Sequence, residues 1–550
     1  MESREQLRDK APSQQFDVCV IGGGATGSGC ALDAQLRGLR TILLDAGDFG
    51  SAASSASTKL VHGGVRYLEQ AVKTLDLQEY RMVRRALHER VHMLSNAPHL
   101  AHSAEFLIPV YSWWQAFYYR IGLRIYDAIA GSDNLFASHF LSREETLRQM
   151  PGLRDAGLHG ACVYADGQFD DARYNMAMIL SFLMEGGAAL NYCRVTGFES
   201  DGSGKIRTAK AIDVQDGTDF PVSARVFVNA TGAGSDSVRL LANPHIAKRL
   251  RPSKGIHIVL SRDAFPAEGA LLVPKTEDGR VVFAVPWMGS LLVGTTDDEA
   301  TPQTDLVVLR AEAEYLLRQL NPYLARPLRL EEIRSGFAGL RPLVAASGIH
   351  GTKELVREHE VEADSASGLI SILGGKWTTY RCMAEDTINA VEQALGRPMT
   401  PTRTKEFLLS GANGYTNELW RELSAKYEIS EATAKHLAGK FGTNAMEVLM
   451  FADGEPDLLA PLAPGFAPIA AEVVYCARRE MARTVEDVLM RRTGLQLSDW
   501  RASIAAAPAA AQLLAREFGW AKEREAAAVR EYSEKIKRFT ATLGLPGERA

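Results

Sequence analysis

The chain has 550 residues, of which 46% are hydrophobic and 23% are charged, and its formal net charge is −5. This length exceeds what one compact core usually holds and predicts about three to four domains. The small negative charge supplies no overall basic field, so nucleic acid is not expected as a partner. The six cysteines are scattered without a C-x-x-C pair or a Cys/His cluster at zinc spacing, so no metal site is predicted.

The first fifteen residues are polar and charged and lack the apolar core of a secretory signal. No window of the sequence approaches the ~18 uncharged apolar residues of a membrane-spanning helix. The cysteine usage fits a reducing compartment. These features predict a cytoplasmic protein or one that lies on the cytoplasmic face of a membrane.

Residues 16–45 predict one βαβ unit. An apolar run at 16–21 precedes a glycine-rich turn, a helix over 29–37 and a second apolar strand at 41–44. The turn supplies G-x-G-x-x-G, which lets backbone amides at a helix N-terminus face the pyrophosphate of a dinucleotide. Asp45 follows the second strand, where its carboxylate can accept hydrogen bonds from an adenosine ribose. The three glycines of the motif are Gly22, Gly24 and Gly27.

Two further apolar strands end in glycine-containing turns, one at Thr231 and Gly232 and the other at Gly375 and Lys376. An elongated cofactor crosses an open α/β sheet at such strand ends, and this favours FAD over NAD. The motifs occur early, in the middle and late in the chain. The sheet is therefore predicted to be assembled from discontinuous segments.

The predicted fold class is α/β, with three domains of different character. Strand and turn signals dominate the middle of the chain, whereas periodic helical patterns dominate beyond about residue 400. The expected domains are an FAD-binding Rossmann-like domain from residues 16–105, 160–255 and 345–398, a β-rich substrate domain from 106–159 and 256–344, and a helical C-terminal domain from 400–545.

The segment SSASTKLVHGGVRYL at residues 54–68 resembles the flavin-proximal segment of FAD-dependent glycerol-3-phosphate dehydrogenases. The stretch DVLMRRT at 487–493 resembles the helical domain of that family, and the likeness spans residues 16 to 500. Thr58 departs from the family pattern, which commonly has serine there. Further stretches match in the same order, namely PW at 286–287, GTTD at 294–297, GLRPL at 339–343 and GGKWTTYR at 374–381.

The resemblance implies an enzyme that oxidises sn-glycerol 3-phosphate to dihydroxyacetone phosphate. Hydride would pass to flavin N5, and the electrons would then pass to a membrane quinone. The residues expected to bind FAD are Gly22, Gly24, Gly27, Asp45, Ser54, Ser55, Lys59, Thr231, Gly232, Gly375, Lys376 and Thr378.

The substrate phosphate carries nearly two negative charges, and arginine offers bidentate donors for it. The resemblance implies that Arg66 and Tyr67 bind this phosphate, with Arg357 as a third ligand and Thr296 as a neutral donor. In isolation, a surface ion pair would explain any one of these arginines equally well.

Three residues are candidates for the chemical step. His62 could remove the hydroxyl proton, or it could bond the cofactor or the backbone, and both roles stay open. Arg341 would polarise or orient the hydroxyl. The positive charge of Lys376 would stabilise the negative charge that builds on the reduced flavin.

A helix is predicted around residues 113–129, with aromatic residues on one face and Arg120, Arg124 and Asp127 on the opposite edge. Such a helix suits a membrane interface, although an amphipathic helix packed on the protein's own core gives the same pattern. The quinone-reducing members of the resembled family favour peripheral attachment to the inner face of the cytoplasmic membrane. The apolar face comprises Trp114, Phe117, Tyr118, Ile121 and Ile125.

Three other functions remain open from the sequence. A glycerol-3-phosphate oxidase would use the same substrate site and pass electrons to oxygen. An amine or amino-acid oxidase of the same fold would need a carboxylate site, and a non-enzymatic flavin-binding protein would not be reduced by any small alcohol. The sequence leaves open the proton acceptor, the role of the C-terminal domain and the oligomeric state, with a homo-oligomer possible.

Overall fold

The computed structural model describes residues 2–64, 77–274, 276–345 and 359–545. The strands are β1 (Gln15–Ile21), β2 (Thr41–Leu44), β3 (Leu60–Val61), β4 (Ala101–Val110), β5 (His139–Ser142), β6 (Gly160–Phe169), β7 (Ala188–Leu190), β8 (Cys193–Ser200), β9 (Ile206–Asp213), β10 (Asp219–Asn229), β11 (Ser253–Ser261), β12 (Ala270–Val273), β13 (Val282–Trp287), β14 (Ser290–Gly294), β15 (Asp298–Glu299), β16 (Ile333–Arg341), β17 (His359–Ala363) and β18 (Ile370–Gly374).

The α-helices follow the same chain order. They are α1 (Arg4–Lys10), α2 (Ala25–Leu36), α3 (Leu77–Asn96), α4 (Trp113–Ala130), α5 (Arg143–Gln149), α6 (Asp171–Met184), α7 (Ser235–Ala242), α8 (Arg310–Leu320), α9 (Tyr380–Ala394), α10 (Leu419–Tyr427), α11 (Glu431–Phe441), α12 (Ala445–Met450), α13 (Ala470–Arg479), α14 (Leu495–Ser498), α15 (Trp500–Phe518) and α16 (Lys522–Leu543). A π-helical turn at Asp487–Arg492 precedes α14.

The first sheet has the strand order β17-β18-β10-β1-β2-β7, and β8 and β9 extend it beside β10. β1 runs parallel to β2 and β10, and β10 runs parallel to β18. Every residue of β2 is buried, as expected for a parallel strand that is covered on both faces. Strands from the start, middle and end of the chain meet in this sheet, so it is assembled from discontinuous segments.

The first helix of the βαβ unit begins earlier than the sequence predicts. We expected a helix over 29–37, but α2 begins at Ala25. Gly27 and Gly29 lie inside it. A Cβ at Gly29 would lie 2.9 Å from the ring of Tyr380 on α9, so close packing between α2 and α9 explains a glycine at this position.

The second sheet has the order β15-β11-β14-β13-β12-β4-β6-β3, with β16 beside β11 and β5 beside β6. Residues 101–105 and 160–169, which we expected in the FAD-binding domain, lie in this sheet as parts of β4 and β6. β6 is buried along its whole length, so its apolar pattern does not reveal which sheet it joins. β3 pairs with β6, and the chain therefore crosses from the first sheet to the second just after the segment 54–59.

Helices α10–α16 form the predicted helical C-terminal domain. One hydrophobic cluster runs from the second sheet into these helices and includes the fully buried Trp500. α15 continues through Pro508. Buried ion pairs join this domain to α6 and the residue before it, namely Lys440 with Asp170 and Arg173 with Glu480.

Candidate active site

The glycine turn after β1 has room for backbone only. Gly22 has φ 105°, and a Cβ there would lie 2.6 Å from the carbonyl oxygen of Ala230. Gly24 is the N-cap of α2, where a Cβ would lie 2.8 Å from Ser54 Oγ, and a Cβ at Gly27 would clash with the carbonyl oxygen of Gly22. The turn therefore lets a pyrophosphate approach the amides at the start of α2.

Asp45 lies directly after β2 and beside this turn. Its carboxylate accepts hydrogen bonds from the backbone N–H of Gly23 at 2.6 Å and of Gly47 at 2.8 Å. Burial raises the pKa of the Asp45 carboxyl to about 6, although both hydrogen bonds oppose this. An acceptor at this position is what an adenosine ribose needs.

The second glycine turn follows β10 and lies against the first. The backbone N–H of Ala230 donates to the carbonyl oxygen of Ile21 at 2.8 Å, and a Cβ at Gly22 would lie 3.0 Å from Thr231 Cα. The Thr231 hydroxyl donates to Asn229 Oδ1 at 2.7 Å, and Gly232 has φ 55°. Two of the predicted strand-end turns thus meet at one edge of the sheet.

The third turn follows β18, the other parallel neighbour of β10. Gly374 and Gly375 have φ 72° and 85°, and Lys376 precedes a 3-10 helix at Trp377–Thr379 that contains the buried Thr378. The indole N–H of Trp377 donates to the carbonyl oxygen of Ser54 at 2.9 Å, which joins this turn to the segment 54–59. Lys376 Nζ lies 3.4 Å from Met82 Sδ on α3.

The segment 54–59 lies between the first sheet and the second. Ser54 Oγ accepts the backbone N–H of Ala25 at 2.9 Å, at the start of α2. Ser55 Oγ is buried and has no hydrogen-bond partner among the described residues. Ala56 packs against β16, since a Cβ at Gly339 would lie 2.9 Å from Ala56 Cβ.

Lys59, which we expected to bind the cofactor, holds this segment together. Its side chain is fully buried and its ammonium donates to Asp171 Oδ1 at 2.5 Å and to the carbonyl oxygen of Ser55 at 2.8 Å. Ser57 Oγ donates to the other oxygen of Asp171 at 2.7 Å. The Lys59 ammonium is therefore paired with the Asp171 carboxylate, and the sequence motif alone could not reveal this partner.

Arg341 ends β16 at the same junction. Its guanidinium lies over Gly255 of β11 and donates to Thr295 Oγ1 at 2.9 Å and to the carbonyl oxygen of Thr296 at 3.0 Å. Asp297 Oδ1 lies 3.4 Å from Nη1. The Thr296 hydroxyl is buried and accepts the backbone N–H of Ile256 at 3.1 Å, so Thr296 supports Arg341 from within the sheet.

Sequence reasoning missed His257, which lies on β11 beside Arg341. Its Nε2 is 3.0 Å from Thr58 Oγ1, and its ring stacks on Phe337 at a centroid distance of 4.9 Å. Burial, followed by the charges of Arg341 and Lys59, lowers the pKa of His257 well below 6.5, so the imidazole is neutral. Its Nδ1 is buried without a partner in the part of the chain that the structure describes. The only available signal was one polar residue in the apolar run GIHIVL.

His62 follows β3, and its ring lies 6.5 Å from that of Phe283. The next residue, Gly63, donates its backbone N–H to the Tyr126 hydroxyl at 3.0 Å. The three expected phosphate ligands Arg66, Tyr67 and Arg357 lie outside the described residues.

Known proteins resemble the chain over nearly its whole length. The sequence profile of the FAD dependent oxidoreductase family matches residues 17–381, and that of the C-terminal domain of alpha-glycerophosphate oxidase matches 402–525. The mitochondrial glycerol-3-phosphate dehydrogenase of Homo sapiens is 41% identical over 530 residues, or 94% of this chain and 73% of its own length. That of Macaca fascicularis is 40% identical over 549 residues, or 98% of this chain and 75% of its own length. The chain belongs to the family of FAD-dependent glycerol-3-phosphate dehydrogenases.

Solved structures support the same assignment. The glycerol-3-phosphate dehydrogenase from Bacillus halodurans complexed with FAD has a TM-score of 0.79 and 30% identity, and 97% of each chain is covered. The L-alpha-glycerophosphate oxidase from Mycoplasma pneumoniae with FAD bound has a TM-score of 0.54 and 16% identity. The match covers 72% of this chain and 98% of that chain, and at this identity it shows only a shared fold. The predicted family and α/β fold class are confirmed.

FAD is the cofactor of this family, and the residues fit it. The glycine turn is shaped for a pyrophosphate and Asp45 offers an acceptor at the ribose position. The prediction of FAD over NAD is confirmed.

Proposed function

We propose that this chain oxidises sn-glycerol 3-phosphate to dihydroxyacetone phosphate with FAD as the oxidant. The geometric observation that carries this function is the position of Arg341. Its partly exposed guanidinium is fixed over Gly255 by hydrogen bonds to Thr295 and Thr296, at the junction of β16 with the segment 54–59. A cation next to the flavin-proximal segment suits an anionic substrate whose hydroxyl must be oriented for oxidation. The relatives that match almost the whole chain carry the same activity in their names.

FAD, when bound, supplies the hydride acceptor at N5. His62 removes the hydroxyl proton, while Arg341 orients the hydroxyl oxygen. The ammonium of Lys376 stabilises the negative charge that develops next to the third glycine turn. Arg66 and Tyr67 bind the phosphate.

Arg357 and Thr296 complete the proposed substrate site. Arg357 adds a third cationic group for the phosphate, and Thr296 acts through the carbonyl oxygen that fixes Arg341. His257 is a second candidate for the proton acceptor, because its imidazole is neutral, buried and beside Arg341. Separate His62→Asn and His257→Asn variants distinguish the two. The variant that lacks the proton acceptor loses the pH dependence of flavin reduction, and the other keeps it.

Anaerobic spectrophotometry tests the activity itself. Addition of sn-glycerol 3-phosphate to the FAD-loaded protein should bleach the oxidised flavin band, and glycerol, which lacks the phosphate, should not. Absence of bleaching would refute the proposed substrate. Restoration by a soluble quinone analogue but only slowly by air supports a dehydrogenase, whereas rapid restoration by air indicates the oxidase.

We further propose a membrane quinone as the electron acceptor and peripheral attachment through α4 to the inner face of the cytoplasmic membrane. One face of α4 packs inward through Ala116, Leu123 and Tyr126. The other face leaves large hydrophobic side chains in solvent, with Trp114 76% and Phe117 56% exposed. Exposed aromatic residues beside arginines suit the interfacial region of a bilayer.

An open groove of about 730 Å³ runs along the same helix, which is large enough for a lipid tail or quinone head group. Its walls combine apolar side chains with two arginines that could meet anionic lipid. The lining residues are Tyr80, Phe117, Arg120, Ile121, Arg124, Ile125, Ala128 and Ile129. Among the helices of the described ranges, none is long and apolar enough to cross a membrane.

Flotation with vesicles of phosphatidylcholine and phosphatidylglycerol tests the attachment. A Trp114→Ser/Phe117→Ser variant should lose vesicle binding while its flavin is still bleached by substrate. Met184→Ser is the matched control, because Met184 is 67% exposed on α6 and lies outside α4. Equal vesicle binding by the aromatic variant and the control would contradict this attachment.

A further inference from the structure

A chain of buried hydrogen bonds links α4 to the loop that carries His62. The backbone N–H of Gly63 donates to the Tyr126 hydroxyl oxygen at 3.0 Å. The Tyr126 hydroxyl in turn donates to Asp166 Oδ2 on β6 at 2.9 Å. Tyr126 and Asp166 are each 1% exposed, so water does not compete for these bonds.

Arg90 fixes the far end of this chain. Its guanidinium donates to Asp166 Oδ1 at 2.8 Å and to the carbonyl oxygen of Asp133 at 2.7 Å, and the residue is fully buried. A carboxylate only accepts hydrogen bonds, so the Tyr126 hydrogen is directed at Asp166. The lone pairs of the Tyr126 oxygen are therefore left for the N–H of Gly63, which also interacts with the Asp166 carboxylate.

The packing around Gly63 leaves the backbone at this residue little freedom. A Cβ at Gly63 would lie 2.6 Å from the Tyr126 hydroxyl oxygen and 2.7 Å from Leu87 Cδ2 on α3. The Tyr126 ring is held edge-on by Tyr164 of β6, at 6.1 Å between centroids and 88° between planes. The hydroxyl that receives the Gly63 N–H is thus fixed by both packing and hydrogen bonding.

We propose that Tyr126 is a positioning residue for the oxidation: its hydroxyl fixes the backbone at Gly63 and thereby the orientation of His62 toward the substrate. This inference rests on the proposed role of the His62 loop. Tyr126 lies on the inner face of α4, opposite the exposed aromatic side chains, so the helix that we propose to contact the membrane also holds the catalytic loop. A misplacement of about 1 Å at a reacting group can cost on the order of 100-fold in rate, so a single backbone hydrogen bond at this loop matters for turnover.

The Tyr126→Phe variant tests this role, with Tyr164→Phe as its matched control. Both substitutions remove one hydroxyl from a buried tyrosine of the same cluster, but only Tyr126 bonds Gly63. Tyr126→Phe should slow anaerobic flavin reduction by sn-glycerol 3-phosphate about tenfold, the cost of one lost hydrogen bond. KM, FAD content and the rate of reoxidation by a soluble quinone analogue should not change. Tyr164→Phe should reduce its flavin at the wild-type rate.

Hydrogen–deuterium exchange gives a readout that does not depend on activity. In the FAD-loaded protein, the peptide that contains Gly63 should exchange up to about tenfold faster in Tyr126→Phe, because its amide loses the Tyr126 hydroxyl as an acceptor and keeps only its interaction with Asp166. The same peptide should exchange at the wild-type rate in Tyr164→Phe.

Three outcomes would overturn the inference. They are a wild-type rate of flavin reduction in Tyr126→Phe, equal slowing in both variants, or unchanged exchange at Gly63. If the wild-type flavin is not bleached by the substrate, the proposed function fails, and the exchange measurement still decides whether Tyr126 holds the loop. Should Tyr126→Phe not fold, exchange in the FAD-loaded wild-type protein still tests the bond: the amide of Gly63 should be strongly protected, and rapid exchange there would overturn the inference.

Discussion

Replacement of Asp48 by asparagine should uncouple the C-terminal domain from the FAD-binding domain. Asp48 lies in the turn that also contains Asp45 and is 1% exposed. Its carboxylate accepts hydrogen bonds from Arg491 Nε at 2.6 Å and from Arg492 Nη1 and Nη2 at 2.8 and 2.9 Å. Asn191 Nδ2 adds a fourth at 3.1 Å. The asparagine keeps the shape and removes the charge.

Two magnitudes bracket the size of the effect. Burial by itself would raise the pKa of Asp48, but the charges of Arg492 and Arg491 outweigh it and lower the pKa to about 2. That value corresponds to about 2–3 kcal/mol of stability relative to the unfolded chain. Breaking a buried ion pair from one side costs about 3–5 kcal/mol. Because Arg491 keeps Asp487 and Arg492 keeps Glu480, we expect a loss of about 3 kcal/mol, toward the lower end of that range.

Differential scanning fluorimetry of the FAD-loaded protein measures this loss. Because the entropy of unfolding scales with chain length, a loss of this size should lower the Tm of this 550-residue protein by about 3 °C. Asp453→Asn is the control, since Asp453 is an exposed aspartate of the same C-terminal domain, and its Tm should stay at the wild-type value. A wild-type Tm for Asp48→Asn would refute the reasoning that these buried charges hold the two domains together.

The pH dependence has a definite sign. A carboxyl whose folded pKa is lowered contributes stability that is fully present above its unfolded pKa of about 3.9 and is lost as the pH falls through the folded value. The Tm difference between wild type and Asp48→Asn should therefore be constant near neutral pH and shrink as the pH falls from about 4 toward about 2.

Three further predictions concern the cofactor and the substrate. Gly27→Ala should abolish FAD binding, measured by flavin fluorescence on dilution, because the new Cβ would clash with the carbonyl oxygen of Gly22; retention of FAD would contradict the proposed turn. Arg341→Lys should lower kcat about 100-fold with FAD retained, because one ammonium cannot reproduce the paired bonds to Thr295 and Thr296. An unchanged kcat would remove Arg341 from the chemical step. Arg66→Ala should raise KM for sn-glycerol 3-phosphate sharply at unchanged FAD content, and an unchanged KM would show that Arg66 does not bind the phosphate.

The glycine motif after β1 could be predicted because its determinants are local. A buried strand, a turn without side chains and a helix N-terminus follow one another directly, and each has its own sequence signature. Asp45 was predictable for the same reason, since it directly follows the second strand. The predicted start of α2 was wrong, because Gly29 lies inside the helix and packs against Tyr380, a residue far away in the sequence.

The assignment of strands to sheets could not be read from the sequence. β4 and β6 pair with each other across 49 intervening residues, and a strand that is buried on both faces shows no alternation. Buried strands of both sheets show the same continuous apolar pattern. The pattern of such a strand therefore does not indicate which of the two domains it belongs to. Only hydrogen-bond register in the folded chain decides it.

The sequence by itself determined the class of fold, the FAD cofactor and the family, because short motifs and their order carry that information. The tertiary structure decided which charged and polar groups meet. It paired Lys59 with Asp171, placed the neutral His257 beside Arg341 and directed Tyr126 to Gly63. These partners lie far apart in the chain, and no periodicity or spacing records a contact that exists only after the sheets and helices have packed.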